Sequence, residues 1–196
     1  MSRARESVLR PVMRIIALAI CVALLSACAS PAGHLPPLVN DQNGALYLLG
    51  PGDTLRISVF GEPDLSGTFR ISDNGAIALP LVGQVSAQGL SVPELQRRLV
   101  TLFGSKAIKS PDVTVQVDAY RPFFILGEVK TPGSYEYVPD MTVLTAVAIA
   151  GGFTFRAQQD EVSITRKRDG SSTESRAVRE ARVLPGDVVY VFERHF

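Results

Sequence analysis

Residues 49–81 read LGPGDTLRISVFGEPDLSGTFRISDNGAIALPL, and their turns and alternating strands predict the structure of the first half of the chain. It opens on the turn Gly50-Pro51-Gly52-Asp53, because Pro51 presets one backbone angle and Gly52 accepts the positive φ of a type II turn. Residues 54–60 then alternate apolar and polar side chains, the period of a half-buried strand. Asp53 is expected to accept backbone N–H groups across the turn, in a structural role.

Further signals in the first half predict a hairpin and a helix. Asp73-Asn74-Gly75 separates the apolar stretches 69–72 and 76–79 and predicts a hairpin that joins them. Ser91 stands three residues before Glu94, which is the spacing of a capping box at a helix start. The helix should present one apolar face and be followed by a strand over residues 112–117; the face comprises Val92, Leu95, Leu99, Leu102 and Phe103.

The second half has its own succession of strands around one short helix. We predict a helix that Thr142 caps and that Gly151-Gly152 ends. The run Arg166-Lys167-Arg168 lies next to the Asp169-Gly170 turn, where long charged side chains keep a sheet edge soluble. The predicted strands are 123–129, 134–138, 161–166, 176–178 and 188–192.

A motif of the first half recurs near the end of the chain. Pro185-Gly186-Asp187 precedes the last predicted strand as Gly50-Pro51-Gly52-Asp53 precedes the first. The order strand, turn, strand, helix, strands is typical of a β-grasp. We therefore predict an α+β protein of two small β-rich domains, 47–119 and 120–196, after a signal peptide.

The N-terminus has the pattern of an export signal. Four arginines precede the apolar run 15–25, which is too short for a membrane span of about 20 residues. Leu25-Ser26-Ala27-Cys28 then resembles the bacterial lipobox, which implies acylation of Cys28. We predict a lipoprotein signal peptide over 1–27 and a tether over 28–46; an ordinary cleaved signal, an uncleaved anchor and a start at Met13 remain alternatives.

Composition limits the kinds of partner and of site. Without residues 1–27, 169 residues remain with 16 basic and 18 acidic side chains, a net charge of −2. No basic excess is left to attract nucleic acid or anionic lipid. The two cysteines are Cys21, inside the signal, and Cys28, so we expect neither a disulfide nor a thiolate metal site in the processed chain.

Three segments resemble a known family. Residues 49–81, with the continuation GQVSAQGLSVPELQRRL at 83–99, are similar to the signature of bacterial polysaccharide biosynthesis/export proteins. LGEVKTPG at 126–133 and TVLTAVAIAGGFTFR at 142–156 resemble the soluble-ligand-binding β-grasp (SLBB) module. The resemblance covers most of residues 47–196.

This resemblance implies an outer-membrane, Wza-like lipoprotein that oligomerises into a periplasmic ring and exports capsule or exopolysaccharide. Ala29, rather than Asp, follows Cys28, which agrees with placement at the outer membrane, on its periplasmic face. The family also implies an inner-membrane co-polymerase or tyrosine kinase as partner. Long members add further β-grasp repeats and a C-terminal membrane helix. With one β-grasp unit, this chain is expected to form a collar that works with a separate outer-membrane channel.

No catalytic centre is evident in the sequence. His34 and His195 have no neighbours at metal-ligand spacing, and we find neither a nucleophile elbow nor a phosphate-binding loop. We therefore expect no enzyme activity, no metal and no cofactor. Acidic pairs such as Asp160 with Glu161 are more typical of solvated loops than of glycosidases. Five aromatic residues are open to sugar stacking or to core packing, namely Tyr120, Phe123, Phe124, Tyr135 and Tyr137.

The predicted mechanism is physical conduction of a polymer through an oligomer. Glu62, Asp64, Asp73 and Asn74 are candidate contacts to the polymer or to a neighbouring subunit. Two other classes remain open. One is a monomeric periplasmic lipoprotein whose β-grasp unit binds a glycan, and the other is an assembly scaffold for synthesis enzymes.

Overall fold

The computed structural model describes residues 33–38, 47–106, 108–168 and 170–194. The chain divides into a unit of residues 1–34 and a compact unit of residues 35–196, and the second unit contains all the helices and strands described below. The predicted signal peptide and Cys28 lie outside the described residues, as do His195 and most of the predicted tether.

The first part of the compact unit, residues 47–119, is named the N-terminal lobe. Its β1, β2 and β5 form an antiparallel sheet in the order β2-β1-β5, while β3 and β4 form a two-stranded hairpin. The elements are β1 (Thr54–Val59), β2 (Gly67–Arg70), β3 (Ala76–Leu79), β4 (Gly83–Ser86), α1 (Val92–Lys106) and β5 (Val113–Ala119).

The predicted hairpin between residues 69–72 and 76–79 is wrong. A turn does form there, with the Ser72 N–H donating to the Ala76 carbonyl at 2.9 Å, but β2 pairs with β1 and β3 pairs with β4. The reason is that β2 continues into the Pro-Gly-Asp turn: Ile71 N–H donates to the Asp53 carbonyl, and Gly52 N–H donates to that of Ile71. The turn therefore carries the chain from one sheet to another.

Helix α1 closes the core of the N-terminal lobe. Leu95, Leu99 and Phe103 are fully buried, which confirms the predicted apolar face, and each contributes roughly 1.5–3 kcal/mol by burial. At its start, the Glu94 carboxylate accepts hydrogen bonds from the Ser91 backbone N–H at 2.8 Å and the Ser91 hydroxyl at 2.6 Å. These bonds fix the turn by which the chain enters the helix.

Residues 120–194, named the C-terminal lobe, contain a five-stranded sheet in the order β7-β6-β10-β8-β9. The central strands β6 and β10 are parallel and the other pairs antiparallel, and α2 packs on one face. This arrangement confirms the α+β class with a β-grasp module. The elements are β6 (Phe123–Gly127), β7 (Gly133–Tyr135), α2 (Val143–Ile149), β8 (Ala157–Arg168), β9 (Ser171–Val178) and β10 (Val188–Glu193).

Part of the predicted tether lies along the outer edge of this sheet. Leu38 N–H donates to the Arg176 carbonyl at 2.7 Å, and Arg176 N–H donates to the Pro36 carbonyl at 2.8 Å. Pro37 thereby forms a parallel bridge with β9, while Leu38 packs against the hydrophobic core of the lobe. Residues 36–38 therefore cover backbone groups that an edge strand would otherwise leave open.

Among the residues that the structure describes, neither helix has the length and apolar composition to cross a bilayer.

The Ser91–Glu94 contact predicts a pH-dependent stability. Hydrogen bonds from Ser91 hold the pKa of Glu94 below its ordinary value. The contact should therefore stabilise the fold above the unfolded pKa of about 4.3 and lose its effect as the pH falls through the folded pKa. In urea titrations, Glu94→Gln should lower the free energy of unfolding at neutral pH, and the difference from the wild type should shrink in acid.

The matched control is Glu136→Gln, which changes an exposed carboxylate after β7. It should leave the free energy of unfolding almost unchanged at both pH values. An effect of Glu94→Gln that is equally large in acid and at neutral pH would contradict this assignment.

Candidate functional site

The carboxylate of Asp53 organises the turn before β1. Asp53 is completely buried, and its Oδ2 accepts the Gly50 N–H at 2.8 Å. The Asp53 N–H donates back to the Gly50 carbonyl at 3.2 Å, and Gly52 adopts the positive φ of 95°. The residues of the predicted turn thus form a closed loop around a buried negative charge, which needs further partners because isolated buried charges are costly.

Arg121 and Tyr47 supply those partners. The Arg121 backbone N–H donates to Asp53 Oδ1 at 2.9 Å, and its Nη1 donates to Oδ2 at 3.0 Å. The Tyr47 hydroxyl donates to Oδ2 at 2.6 Å and accepts from Arg121 Nη1 at 2.6 Å. The Asp53 carboxylate therefore accepts four hydrogen bonds, one each from Gly50 and Tyr47 and two from Arg121. The bond from the guanidinium joins two opposite charges.

The guanidinium lies between turns of both lobes. A Cβ on Gly50 would stand 2.6 Å from Arg121 Nη1, and one on Gly186 would stand 2.8 Å from Nε. Both distances are shorter than packed carbon and nitrogen atoms allow, so each glycine makes room for the same side chain. We name this set of residues, Tyr47, Gly50, Asp53, Arg121 and Gly186, the Arg121 junction.

The second Pro-Gly-Asp motif is built in the same way. Asp187 is 1% exposed, and its Oδ2 accepts the Leu184 N–H at 2.8 Å, as Asp53 accepts that of Gly50. Arg166 donates to both oxygens, from Nε at 2.9 Å and from Nη2 at 2.7 Å, which is a bidentate pair. Each turn therefore combines a buried aspartate with an arginine from a distant part of the chain.

The prediction that Arg166 keeps a sheet edge soluble is therefore wrong. Its side chain is only 13% exposed, because the guanidinium turns inward to Asp187. Lys167 remains exposed beside the turn. The long β8 strand, which extends from 157 to 168, brings Arg166 opposite the turn before β10.

A row of tyrosines extends from the Arg121 junction. Tyr120 packs edge-on against Tyr47, with ring centroids 5.1 Å apart, and against Tyr137 at 5.3 Å. Burial raises the pKa of all three phenols, and the hydrogen bond to Asp53 raises the pKa of Tyr47 further. The hydroxyls therefore stay neutral at physiological pH, and the row acts as packing between the lobes.

The other aromatic candidates separate into two roles. Phe123 is fully buried and stacks with Tyr135 at a centroid distance of 6.0 Å, so both belong to the core or its rim. Phe124 points the other way and is 41% exposed. Of the five aromatic residues, Phe124 is thus the one that offers its ring to solvent.

The candidate contact residues lie in two separate places. Glu62 and Asp64 are exposed in the loop between β1 and β2, whereas Asp73 and Asn74 are exposed beyond the opposite end of β2. Asn74 Oδ1 already accepts bonds from the Ser72 hydroxyl at 2.6 Å and the Ala76 N–H at 3.1 Å. The structure therefore does not bring the four residues together, and Asn74 shapes its own turn.

No metal site can be built from the residues that the structure describes. Within those ranges, no three His, Cys, Asp or Glu side chains are grouped as ligands. Cys28 and His195 lie outside them, and His34 is exposed.

Loss of the Arg121 guanidinium should destabilise the fold strongly. Arg121→Met would leave Asp53 buried without a counter-charge, which costs about 3–5 kcal/mol. As a control, Arg56→Met breaks an exposed ion pair with Asp118, whose side chains are 61% and 33% exposed, and should cost about 1 kcal/mol or less. Urea denaturation of the two variants measures the difference, and equal losses would contradict a special role for Arg121.

Comparison with protein families gives two matches in succession along the chain. The model described as polysaccharide biosynthesis/export protein matches residues 41–118, and the model of the SLBB domain matches residues 122–174. The first match contains β1 to β5 with the Asp53 turn, and the second contains β6 to β8 with Arg166.

Known relatives are similar over part of the chain. The exopolysaccharide production protein ExoF of Rhizobium meliloti (strain 1021) is 32% identical in an alignment 145 residues long, which covers 67% of this chain and 32% of ExoF. The polysialic acid transport protein KpsD of Escherichia coli is 27% identical over 108 residues, which are 54% of this chain and 19% of KpsD. The match thus spans about a third of ExoF and a fifth of KpsD. With the two family models in order, these similarities show that the chain belongs to the polysaccharide biosynthesis/export protein family and contains an SLBB module.

Proposed function

We propose that this protein is a lipid-anchored component of a capsule or exopolysaccharide export complex, acting as an oligomeric conduit or collar on the periplasmic face of the outer membrane. The observation that carries the proposal is the succession of the two family matches, over 41–118 and 122–174. The names of the relatives, exopolysaccharide production and polysialic acid transport, supply the substrate class. We propose domain limits of 47–119 and 120–196.

The Arg121 junction supports a rigid subunit, which a conduit requires. A ring closes when identical contacts repeat with a fixed rotation. If the lobes of one subunit turned freely, that rotation would vary. Arg121 contacts the turns of both lobes through Gly50 and Gly186, and the tyrosine row packs beside it.

The membrane attachment is proposed on sequence alone, through a thioether-linked lipid on Cys28. We further propose an inner-membrane co-polymerase or tyrosine kinase and a separate outer-membrane channel as partners. The proposed mechanism is conduction rather than bond making, so the subunit needs weak, repeated contacts to its polymer. Glu62, Asp64 and Asp73, all exposed, remain proposed contacts to the polymer or to a neighbouring subunit.

A monomeric glycan-binding lipoprotein is the second candidate function. It is favoured by the exposed aromatic ring of Phe124 on a sheet of the SLBB lobe. The two candidate functions predict different phenotypes when the gene is deleted, because cells can lose a glycan-binding protein and still export polymer.

Deletion of the gene, followed by complementation, tests the proposal. The deletion should trap polymer in the periplasm, and the wild-type chain should restore it to the surface. Cys28→Ala should fail to incorporate labelled palmitate, should leave the membrane fraction and should restore less surface polymer, because the protein is no longer held at its site. Sugar analysis of surface and periplasmic fractions gives the readout.

Cys21→Ala is the matched control, since it changes the other cysteine and should behave like the wild type. Normal surface polymer in the deletion strain would contradict an export role. Unchanged fractionation of Cys28→Ala would contradict the lipid anchor but not the export role.

A further inference from the structure

The sheet of the C-terminal lobe has one covered face and one open face. Ile125 and Val189 are fully buried on the covered face, where α2 packs. Side chains alternate along a strand, so their neighbours in β6 and β10 belong to the other side. We name this other side the open sheet face; it comprises Phe124, Leu126, Val188, Tyr190 and Phe192 of β6 and β10, and Glu161, Ser163, Thr165 and Arg176 of β8 and β9.

Half of the open sheet face is apolar and aromatic. Phe124, Leu126 and Tyr190 are 41%, 43% and 44% exposed, and the register sets Leu126 directly beside Tyr190. Tyr190 and Phe192 pack edge-on, with ring centroids 5.2 Å apart. The large apolar side chains are thus contiguous, whereas scattered exposed apolar residues are common on any surface.

The other half is polar and contains a hydroxyl without a partner. Ser163 lies between Tyr190 and Arg176 in the register of the sheet and is 1% exposed. Its Oγ has no hydrogen-bond partner among the described residues. Because this atom is already shielded from solvent, a ligand on the face meets the polar side chains around Ser163 and not the Oγ itself. Beside it, Arg176 pairs with Glu161 at 3.3 Å.

We propose that the open sheet face binds the exported polysaccharide, with sugar rings lying on Tyr190, Leu126 and Phe124 and sugar hydroxyls bonding to the partly exposed polar side chains of β8 and β9. This inference rests on the proposed export function and names the surface that meets the polymer. A sugar ring fits both halves, because its C–H groups pack on aromatic faces while its hydroxyls donate and accept hydrogen bonds.

A purely apolar occupant fits this surface less well. It would exclude water from the partly exposed Arg176 and Glu161 side chains without supplying hydrogen bonds in its place, and such burial is unfavourable. Phe124, Leu126 and Tyr190 are also only about half covered by the protein. The face therefore gives weak contacts, which suit a polymer that must slide.

Nuclear magnetic resonance titration of the full chain in detergent tests the proposal. The probes are cellohexaose, which is neutral, and hexasialic acid, which is acidic. At least one should shift the amide signals of β6, β8 and β10. Tyr190→Ala should weaken that binding about tenfold, and Tyr190→Phe should retain most of it. Arg176→Met should also weaken binding, because it removes a partly exposed hydrogen-bond donor from the polar half of the face.

Phe155→Ala is the matched control, because Phe155 is 82% exposed but lies in the loop between α2 and β8. Its binding should equal that of the wild type. The proposal is overturned if neither probe shifts the amide signals of the open sheet face, or if Tyr190→Ala and Arg176→Met bind as the wild type does. A drop in mass for sugar-free Tyr190→Ala by light scattering would assign the face to a second copy instead.

The deletion strain separates this inference from the proposed function. Trapped polymer in the deletion strain, together with unchanged sugar binding by Tyr190→Ala, would contradict sugar binding at the open sheet face and leave the export role intact. Normal export in the deletion strain would remove the export role whatever the titration shows.

Discussion

A buried carboxylate needs partners, and that constraint shapes the connection between the two lobes. Asp53 has no exposed surface, and its negative charge is balanced by Arg121, which lies 68 residues further along the chain. The same guanidinium is packed by Gly50 of one lobe and Gly186 of the other. Any side chain larger than glycine at either position would displace the guanidinium from Asp53. The pairing of the buried charge therefore depends on the two glycine turns and on the orientation of the two lobes that bear them.

The same pairing of a buried aspartate with an arginine occurs twice in the chain, once in each lobe. In both motifs the aspartate accepts the N–H of the residue three positions earlier and binds an arginine from a distant part of the chain. In both, a strand begins immediately afterwards, at Thr54 and at Val188. The turns thus set where β1 and β10 start, and β10 in turn presents Tyr190 on the open sheet face. The Pro-Gly-Asp turn at Asp187 and the proposed binding surface are thus connected through β10.

Local patterns in the sequence were sufficient to predict the elements but not their long-range partners. Alternation predicted a strand at residues 54–60, which the structure shows at 54–59, and the Thr142 cap is seen in the 3.3 Å bond from the Thr145 N–H. The Asn74 turn was predicted correctly as a turn and wrongly as a hairpin, because turn chemistry does not specify which strands pair. Arg166 was assigned to solvent for a similar reason: its partner is 21 residues away, and nothing local distinguishes it from the neighbouring basic residues. The role of Arg121 was missed, although two buried Pro-Gly-Asp aspartates each require a cation.

We infer that Arg121 holds the two lobes in one orientation, which a regular conduit requires of each of its subunits. Residual dipolar couplings of the backbone amides test it directly, since they report the orientation of each lobe separately. In the wild type, the couplings from β1 to β5 and from β6 to β10 should fit one alignment tensor, whereas in Arg121→Met they should require two. Two different tensors in the wild type, or one shared tensor in the variant, would contradict this inference.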